Sequence, residues 1–338
     1  MEFLLMSSAR LVVTVERVTS PKSDFVWPSV SVVMPVRNEA RHISSAVQAV
    51  LEQKYEGELD VWIAVAPSDD GTEVLVRELV EANANVFSIE NPEGVTPAGL
   101  NAAISASSGK VIVRVDGHVR LCNGYIATAV ESMVRTRAVN VGGRQLAVGS
   151  TGFEKAVAAV MMSVVGSGGA EYRVGGSEKS VDTVFLGVFD RTAGDEVGWF
   201  DETLIRNQDY EFNIRLRNAG GKIWFNPALV VEYQPRSSLR ALARQYFDYG
   251  RYKAHVLRLH RSSMRLRQFV PPVATFALAL SVLVSFWLLP VLLLPLGYLA
   301  IVAAGVKGPV CVRLKAMAIA PVIHFSWSFG LLRGFFKQ

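Results

Sequence analysis

The feature that most constrains the fold of this chain is a run of 39 positions, residues 268–306, without a charged side chain. As a helix this run would measure about 58 Å, close to two crossings of a hydrocarbon core about 30 Å thick. Pro290 and Pro295 lie beyond its midpoint, where a turn between two spans would fit. A second apolar stretch, residues 316–332, has a marginal length for a span. That length leaves a third span, a re-entrant or interfacial helix and a buried core helix open.

Basic charge is concentrated directly before the uncharged run. Residues 236–267 hold nine lysines or arginines against one acidic residue, Asp248. Positive residues beside a span favour the cytoplasmic side and attract anionic lipid head groups. Nucleic-acid binding is the competing interpretation, but the position beside an apolar segment already explains the block, so we expect no nucleic-acid partner. We therefore predict a protein of the cell (inner or plasma) membrane with a cytoplasmic polar domain. The isolated Cys122 and Cys311 fit that reducing compartment.

The first half of the chain alternates between strand-like and helix-like patterns. Strands are predicted at residues 29–35, 59–65, 86–89 and 110–115, and helices at residues 43–51, 72–82 and 97–106. This alternation predicts βαβ units and an α/β fold, Rossmann-like, with a mainly parallel sheet and helices on both faces, followed by C-terminal membrane helices. Ligands of such sheets bind beyond the carboxyl ends of the strands, here after Pro35, Val65 and Val115.

The second half of the polar domain is less regular. Residues 141–148 and 181–189 are predicted strands. Between them, residues 166–177 (GSGGAEYRVGGS) contain five glycines and predict a mobile loop. A helix is predicted over residues 208–219, capped by Asn207 and closed by Gly220 and Gly221.

Asp116 and His118 form the first candidate site, in a turn directly after the fourth predicted strand. A carboxylate and an imidazole two residues apart can point at one divalent ion. That donor pair suits Mn²⁺, and also Mg²⁺ if phosphate oxygens complete the shell. A purely structural Asp-Gly turn is the alternative that the spacing alone leaves open.

Three ordered motifs carry a family resemblance: VSVVMPVRNEARHISSAVQAVLEQ, then PSDDGT, then the Asp116–His118 turn. Together they resemble family 2 glycosyltransferases of the GT-A fold over roughly residues 29–260. The sequence looks closest to succinoglycan-type glucosyltransferases and related actinobacterial membrane enzymes. The resemblance implies a nucleotide-sugar donor, a divalent metal and a membrane-associated acceptor.

The resemblance implies roles for individual residues on the donor side. The loop after the first strand would lie against the donor nucleotide, with Pro35, Val36, Arg37, Asn38 and Glu39. Asp70 matches the acidic residue of the second-strand loop, and Asn101 lies in the helix that flanks the donor diphosphate. Asp116 and His118 replace the family's Asp-x-Asp motif and would hold the metal on that diphosphate. Gln245 and Arg251, in QYFDYGRY, resemble an element near donor and acceptor.

Asp209 matches the family's general base, which takes the proton of the acceptor hydroxyl. It follows the predicted N-cap by two residues, so the helix dipole would keep it ionised. An ordinary first-turn acidic residue is the alternative, Glu211 is the rival base, and Asn213 could orient Asp209 from one turn further on. With one base and no second nucleophilic carboxylate, direct displacement with inversion is the simpler mechanism.

The sequence departs from the family pattern at three positions. Ala66 stands where the family often has an aspartate that reads the nucleobase, which leaves the choice between UDP and GDP open, although a UDP-sugar is favoured. Gln208 replaces the usual glutamate before the base. Tyr252 stands where tryptophan is common, with a wider gap from Gln245 to Arg251, which argues against the processive, cellulose-synthase-like branch.

The predicted function is that of an inverting hexosyltransferase. It would move a hexose from a nucleotide sugar to a lipid-linked or glycolipid acceptor, in polysaccharide or glycolipid biosynthesis. Two alternatives stay open: a nucleotidyltransferase with a related sheet, although its first loop would be glycine-rich, and a non-catalytic nucleotide-binding membrane scaffold. The predicted units are an N-terminal extension (1–28), a catalytic domain (29–233), basic amphipathic interface helices (234–268) and a hydrophobic membrane segment (269–338).

Overall fold

The computed structural model describes residues 25–336, so most of the predicted N-terminal extension (1–28) lies outside the described residues. Within that range one sheet forms, with the strand order β3-β2-β1-β4-β8-β6-β9-β5, and β7 pairs with β9. The strands are β1 Val30–Val36, β2 Leu59–Val65, β3 Val86–Glu90, β4 Val111–Arg114, β5 Arg120–Leu121, β6 Asn140–Ala147, β7 Lys179–Ser180, β8 Phe185–Asp190 and β9 Ile223–Tyr233.

Helices cover both faces of this sheet and continue beyond it. Those of the sheet domain are α1 Ile43–Leu51, α2 Thr72–Ala82, α3 Thr96–Ala106, α4 Tyr125–Thr136, α5 Gly152–Met161, α6 Val164–Ser167, α7 Glu171–Val174, α8 Arg191–Val197 and α9 Gln208–Asn218. The C-terminal ones are α10 Leu239–Leu259, α11 Leu266–Val284, α12 Leu293–Gly305 and α13 Val310–Phe336.

The predicted βαβ half is confirmed. β1 pairs in parallel with β2 and β4, and β2 with β3. The apolar sides of α1 and α4 pack on one face of the sheet, and those of α3 and α9 on the other. The second half is mixed, since β8 runs antiparallel to β4 and β6 whereas β6 and β9 are parallel. β8 is reversed because the chain returns from the far end of β6 through α5, α6, α7 and β7.

Two local expectations need correction. The predicted glycine-rich loop contains part of α6 and all of α7, and these short helices are bounded by Gly168–Gly169 and Gly175–Gly176, all at positive φ. Asn207 does precede α9, but it is not a side-chain cap. Its backbone is left-handed (φ 64°) and its amide donates to the Tyr249 carbonyl at 3.0 Å. Gly220, at φ +87°, follows the helix as predicted.

α11 and α13 are long and apolar enough to cross a membrane, by length and composition only. A shorter apolar helical stretch, Leu289–Gly305, lies between them. α13 packs closely along α10 because Gly250 and Gly330 have no side chains at the contact. A Cβ on Gly250 would lie 2.0 Å from the Trp327 carbonyl oxygen, and a Cβ on Gly330 would lie 2.0 Å from the Phe247 carbonyl oxygen. One face of α13 is thus buried against the sheet-domain side of the molecule, while its other face exposes apolar side chains such as Phe329.

Candidate functional site

A cleft of about 720 Å³ opens at the carboxyl ends of β1, β3 and β4, where the parallel-sheet rule placed the chemistry. Loops after these strands form one wall, and the chain after β9 forms another. The lining includes Pro35, Val36, Arg37, Glu39, Ala66, Asn91, Arg114, Asp116, His118, Arg206, Tyr233 and Arg236.

Arg114, the last residue of β4, lines the cleft and joins two carboxylates, of which Asp116 also lines the cleft and Asp209 does not. Its side chain is 6% exposed. Nη2 donates to Asp116 Oδ1 at 2.9 Å, and Nη1 donates to Asp209 Oδ1 in the first turn of α9. A buried guanidinium needs such partners, since an unpaired buried charge is strongly destabilising. The fold thereby brings together two acidic residues that are far apart in the sequence.

The two carboxylates titrate differently. Burial alone would raise the pKa of Asp116, but the charges of Arg114 and His118 hold it below its usual range. For Asp209 the effect of burial is larger than the opposing effect of Arg114, and the negative charge of Asp116 acts in the same direction as burial, so the pKa of Asp209 is raised.

His118 is held by Glu39 of the first-strand loop. Its Nδ1 lies 2.8 Å from Glu39 Oε1, and this hydrogen bond raises the pKa of His118. A carboxylate on Nδ1 fixes the ring so that neutral His118 presents the lone pair of Nε2. A Cβ at position 117, between the two candidate ligands, would lie 2.9 Å from Val36 Cγ1 and 3.1 Å from Glu39 Cγ, so a residue larger than Gly117 would displace these side chains.

These residues fit a divalent metal ion. Both Arg114 bonds to Asp116 end on Oδ1, which leaves Oδ2 for an ion, and His118 offers Nε2. Among residues 25–336 no group of three or more His, Cys, Asp or Glu side chains is arranged to hold a metal. An ion on Asp116 and His118 would therefore take its remaining ligands from substrate oxygens and water, a mode that Mn²⁺ and Mg²⁺ share.

The predicted donor loop lies where the sequence placed it. Pro35, Val36, Arg37 and Glu39 all line the cleft, and Arg37 Nη1 approaches the Gly94 carbonyl at 3.5 Å.

Asp70 is not among the lining residues. Its carboxylate accepts from the Ala40 N–H and from the Thr72 N–H, each at 3.0 Å, and so ties the donor loop to the start of α2. The hydrogen bond from the Thr72 hydroxyl lowers the pKa of Asp70. Direct donor contact by Asp70 stays a prediction.

Besides Asp70 and Asp209, three other predicted residues lie outside the lining. The Asn101 amide bonds both the N–H and the carbonyl of Phe200. Gln245 Nε2 donates to the hydroxyls of Tyr233 (2.8 Å) and Tyr249 (3.0 Å), so it contacts the cleft through Tyr233. The Arg251 guanidinium is 5.6 Å from the centre of the Tyr252 ring. Their proposed roles stay predictions.

Arg114 was not among the residues predicted for the site. The available signal was a lone arginine in the apolar strand VIVRV, which must find a carboxylate if the strand is buried.

Asn213 does not orient Asp209, because its amide bonds Asn140 (2.6 Å) and Thr183 (3.0 Å). Glu211, the rival base, is 2% exposed and is bound by Arg215 and His260 beside a separate pocket of about 390 Å³. Glu211 therefore does not line the cleft.

Comparison with known proteins shows the family of the chain. The family model described as glycosyl transferase family 2 matches residues 31–198. The chain is 31% identical to the succinoglycan biosynthesis protein ExoA of Rhizobium meliloti, over 89% of this chain and 93% of that protein. It is 27% identical to the glycosyltransferase AglE of Haloferax volcanii, over 77% and 81% of the two chains.

A solved structure shares the fold. The mannosyltransferase PcManGT from Pyrobaculum calidifontis, in complex with GDP-Man and Mn²⁺, superposes with a TM-score of 0.61 at 17% identity, over 91% of this chain and 87% of that one. This likeness confirms the predicted GT-A fold. Together with the extent of the ExoA match, the motifs and the family model lead to one assignment: the chain belongs to the family 2 glycosyltransferases.

Proposed function

We propose that this glycosyltransferase moves a hexose from a nucleotide sugar, a UDP-sugar being favoured, to a lipid-linked or glycolipid acceptor at the cytoplasmic membrane face, with inversion. The observation that carries the proposal is the bridge of Arg114, which holds Asp116, the proposed metal ligand, and Asp209, the proposed base, on one guanidinium. The name of the ExoA relative, a succinoglycan biosynthesis protein, supports a place in polysaccharide or glycolipid biosynthesis.

The donor end of the cleft suits a nucleoside diphosphate. Arg37 and Arg236 line it and supply positive charge for diphosphate oxygens. Asp116 and His118 are the proposed metal ligands, and a Mn²⁺ or Mg²⁺ ion there would neutralise the charge of the leaving diphosphate as a Lewis acid. PcManGT was solved with a GDP-sugar, so that relative does not favour UDP, and Ala66 gives no base-reading side chain.

Asp209 is the proposed general base. Its raised pKa makes the carboxylate a stronger proton acceptor, while the Arg114 charge favours its ionised form and fixes its position. Arg114 holds Asp116 at the same time, so the proton acceptor stays beside the metal-side carboxylate. Asp116 is assigned to the metal, Glu39 is paired with His118, and Glu154 accepts from the backbone N–H groups of Ser150 and Thr151. Asp209 is then the single carboxylate proposed for the chemistry, which supports direct displacement and inversion.

The membrane side of the proposal draws on the C-terminal helices. α11 and α13 have the length and composition of membrane spans, and large apolar side chains of α11 such as Phe276 are exposed. Part of the basic block has internal partners, since Lys253 is 3% exposed and Arg267 pairs with Asp182. Exposed arginines of the block, such as Arg240, suit anionic lipids, which supports a cytoplasmic orientation.

Nucleoside diphosphate release from a nucleotide sugar, measured with the purified full chain, Mn²⁺ and a lipid acceptor extract, tests this proposal. Asp209→Asn should lose about 10²–10⁴-fold in transfer rate because the acceptor proton has no base. It should bind nucleoside diphosphate as the unmodified chain does. Glu78→Gln, an exposed carboxylate on α2, is the control and should keep full activity. Undiminished transfer by Asp209→Asn would refute the base assignment, and pyrophosphate as the product would favour nucleotidyl transfer.

A further inference from the structure

A second group of arginines lies beside the cleft: Arg144 of β6, Arg173 of α7 and Arg206. None of the three forms an ion pair among the described residues, although each is at least half-buried. Arg173 Nη1 donates to the Tyr246 hydroxyl at 3.3 Å, and its guanidinium lies 5.6 Å from the Tyr172 ring centre. The Arg144 Nε atom is buried without a hydrogen-bond partner. Partly desolvated cations of this kind favour an anionic ligand.

A chain of neighbouring side chains connects these three arginines with the cleft of the candidate active site. Arg206 lines the cleft and lies within electrostatic reach of Asp116 and Tyr249. Tyr233 also lines the cleft and accepts from Gln245, whose Oε1 is buried with no partner. Gln245 in turn donates to Tyr249, whose ring packs edge-on against Tyr246 at 5.5 Å, beside Arg173.

The segment that carries Arg173 also contacts the apolar helices. The Val165 carbonyl lies 2.9 Å from His324 Nε2 of α13, and Gly305 of α12 is close enough to Val165 that a Cβ would approach to 2.7 Å. Gly168 packs against Arg267 at the start of α11, because a Cβ on Gly168 would lie 3.2 Å from the Arg267 Cβ. Residues 163–176 therefore connect the polar cleft with the surface of α11, α12 and α13.

We propose that Arg144, Arg173 and Arg206 bind the phosphate or diphosphate of a lipid-linked acceptor, with its apolar chain lying along α11–α13. Guanidinium groups bind phosphate oxygens in bidentate pairs, and the neighbouring tyrosine hydroxyls add donors. The glycine pairs at residues 168–169 and 175–176, all at positive φ, form the turns on either side of α7 that hold Arg173 in this position. This inference rests on the proposed lipid-linked acceptor and specifies how it is recognised.

Calorimetric binding of farnesyl phosphate to the purified full chain in detergent tests the inference. Nucleoside diphosphate and Mn²⁺ are present at saturation so that the donor site is filled. Farnesyl phosphate should bind, farnesol should bind at least about tenfold more weakly, and so should inorganic phosphate, because head group and chain both contribute. Arg173→Gln and Arg144→Gln should each weaken farnesyl phosphate binding by about tenfold or more, and Arg173→Lys by less.

Arg135→Gln is the matched control, since Arg135 is a 57%-exposed arginine paired with Glu178 and should leave binding unchanged. Unchanged nucleoside diphosphate binding in every variant reports an intact fold. Equal binding of farnesol and farnesyl phosphate, equal binding of inorganic phosphate, or wild-type affinity in both Arg173→Gln and Arg144→Gln would overturn the inference.

Different outcomes refute the proposed function and the proposed phosphate site. The predicted binding pattern without turnover of any nucleotide sugar would leave this inference standing and refute the proposed function. Sugar transfer with an acceptor KM unaffected by Arg173→Gln would refute this inference alone.

Discussion

Replacement of Arg114 by glutamine is the perturbation with the largest expected effect on both stability and activity. It leaves Asp116 and Asp209 without their shared cation, although their side chains are only 22% and 24% exposed. Removal of one partner of a buried ion pair costs about 3–5 kcal/mol. Because both carboxylates retain some solvent, we expect about 3 kcal/mol of lost unfolding free energy at pH 7.5.

The loss should depend on pH with a defined sign. Arg114 lowers the pKa of Asp116 and opposes the rise in that of Asp209, so its removal raises both folded-state values. A carboxyl group whose folded pKa lies above its unfolded value destabilises the folded state at neutral pH, and the effect disappears as pH falls and the group is protonated. The difference between Arg114→Gln and the unmodified chain should therefore be largest near pH 7.5 and shrink towards pH 4.5.

Urea unfolding of the full chain in detergent micelles, followed by tryptophan fluorescence at both pH values, measures this difference. Arg135→Gln is the control, and its exposed pair with Glu178 should contribute under about 1 kcal/mol. Equal stability of Arg114→Gln and the unmodified chain at pH 7.5, or a difference that does not change with pH, would refute the account of the bridge.

Three further predictions follow from the same contacts. Glu39→Gln should weaken Mn²⁺ binding about 10–100-fold in a titration, because it removes the carboxylate that orients His118. The Mn²⁺ affinity of the unmodified chain should fall as pH drops through the raised pKa of His118. An affinity that does not depend on pH would contradict the assignment of His118 as a metal ligand. Gly250→Ala places a Cβ 2.0 Å from the Trp327 carbonyl oxygen and should lower the free energy of unfolding by about 1–3 kcal/mol. Gly297→Ala is the control and should not lower it, because no atom lies within 4 Å of a Cβ at that position. Equal effects of the two substitutions would refute close packing of α10 on α13. Burial lowers the pKa of Lys253 to about 7, so the protonated form of Lys253 is disfavoured in the folded state. The free energy of unfolding should therefore rise with pH above 7, by at most about 1.4 kcal/mol per pH unit. Lys253→Met should remove that slope, and an unchanged slope would show that Lys253 is not the titrating group.

The βαβ half of the fold could be predicted because its signals are local. Each of β1, β2 and β4 is a short, mainly apolar segment that contains valine, and the helices between them carry apolar residues at helical spacing. Their carboxyl ends must then lie at one edge, so the sequence alone was sufficient to place Pro35 and Asp116 at a common cleft.

The second half could not be predicted to the same extent, because its geometry depends on contacts between distant segments. No local pattern says that β8 inserts antiparallel between β4 and β6. The close packing of α13 on α10 likewise depends on glycines, Gly250 and Gly330, whose lack of a side chain carries no hydropathy signal.

The same distinction applies to the candidate site. Asp116 and His118 are neighbours in sequence, so their pairing could be predicted from one turn. The contact of Arg114 with Asp209 joins β4 to α9, and the orienting residue was expected one helical turn from Asp209, at Asn213, since only local spacing was available.

The most direct measurement of the central claim is a panel of nucleotide sugars, including UDP- and GDP-hexoses, scored by nucleoside diphosphate release with membranes that carry the full chain and native lipid extract as acceptor. The account predicts release from at least one nucleotide sugar, dependent on Mn²⁺ or Mg²⁺ and on the lipid extract, and lost in both Asp116→Ala and Asp209→Asn. Release that persists in both variants, or no release from any nucleotide sugar, would contradict it.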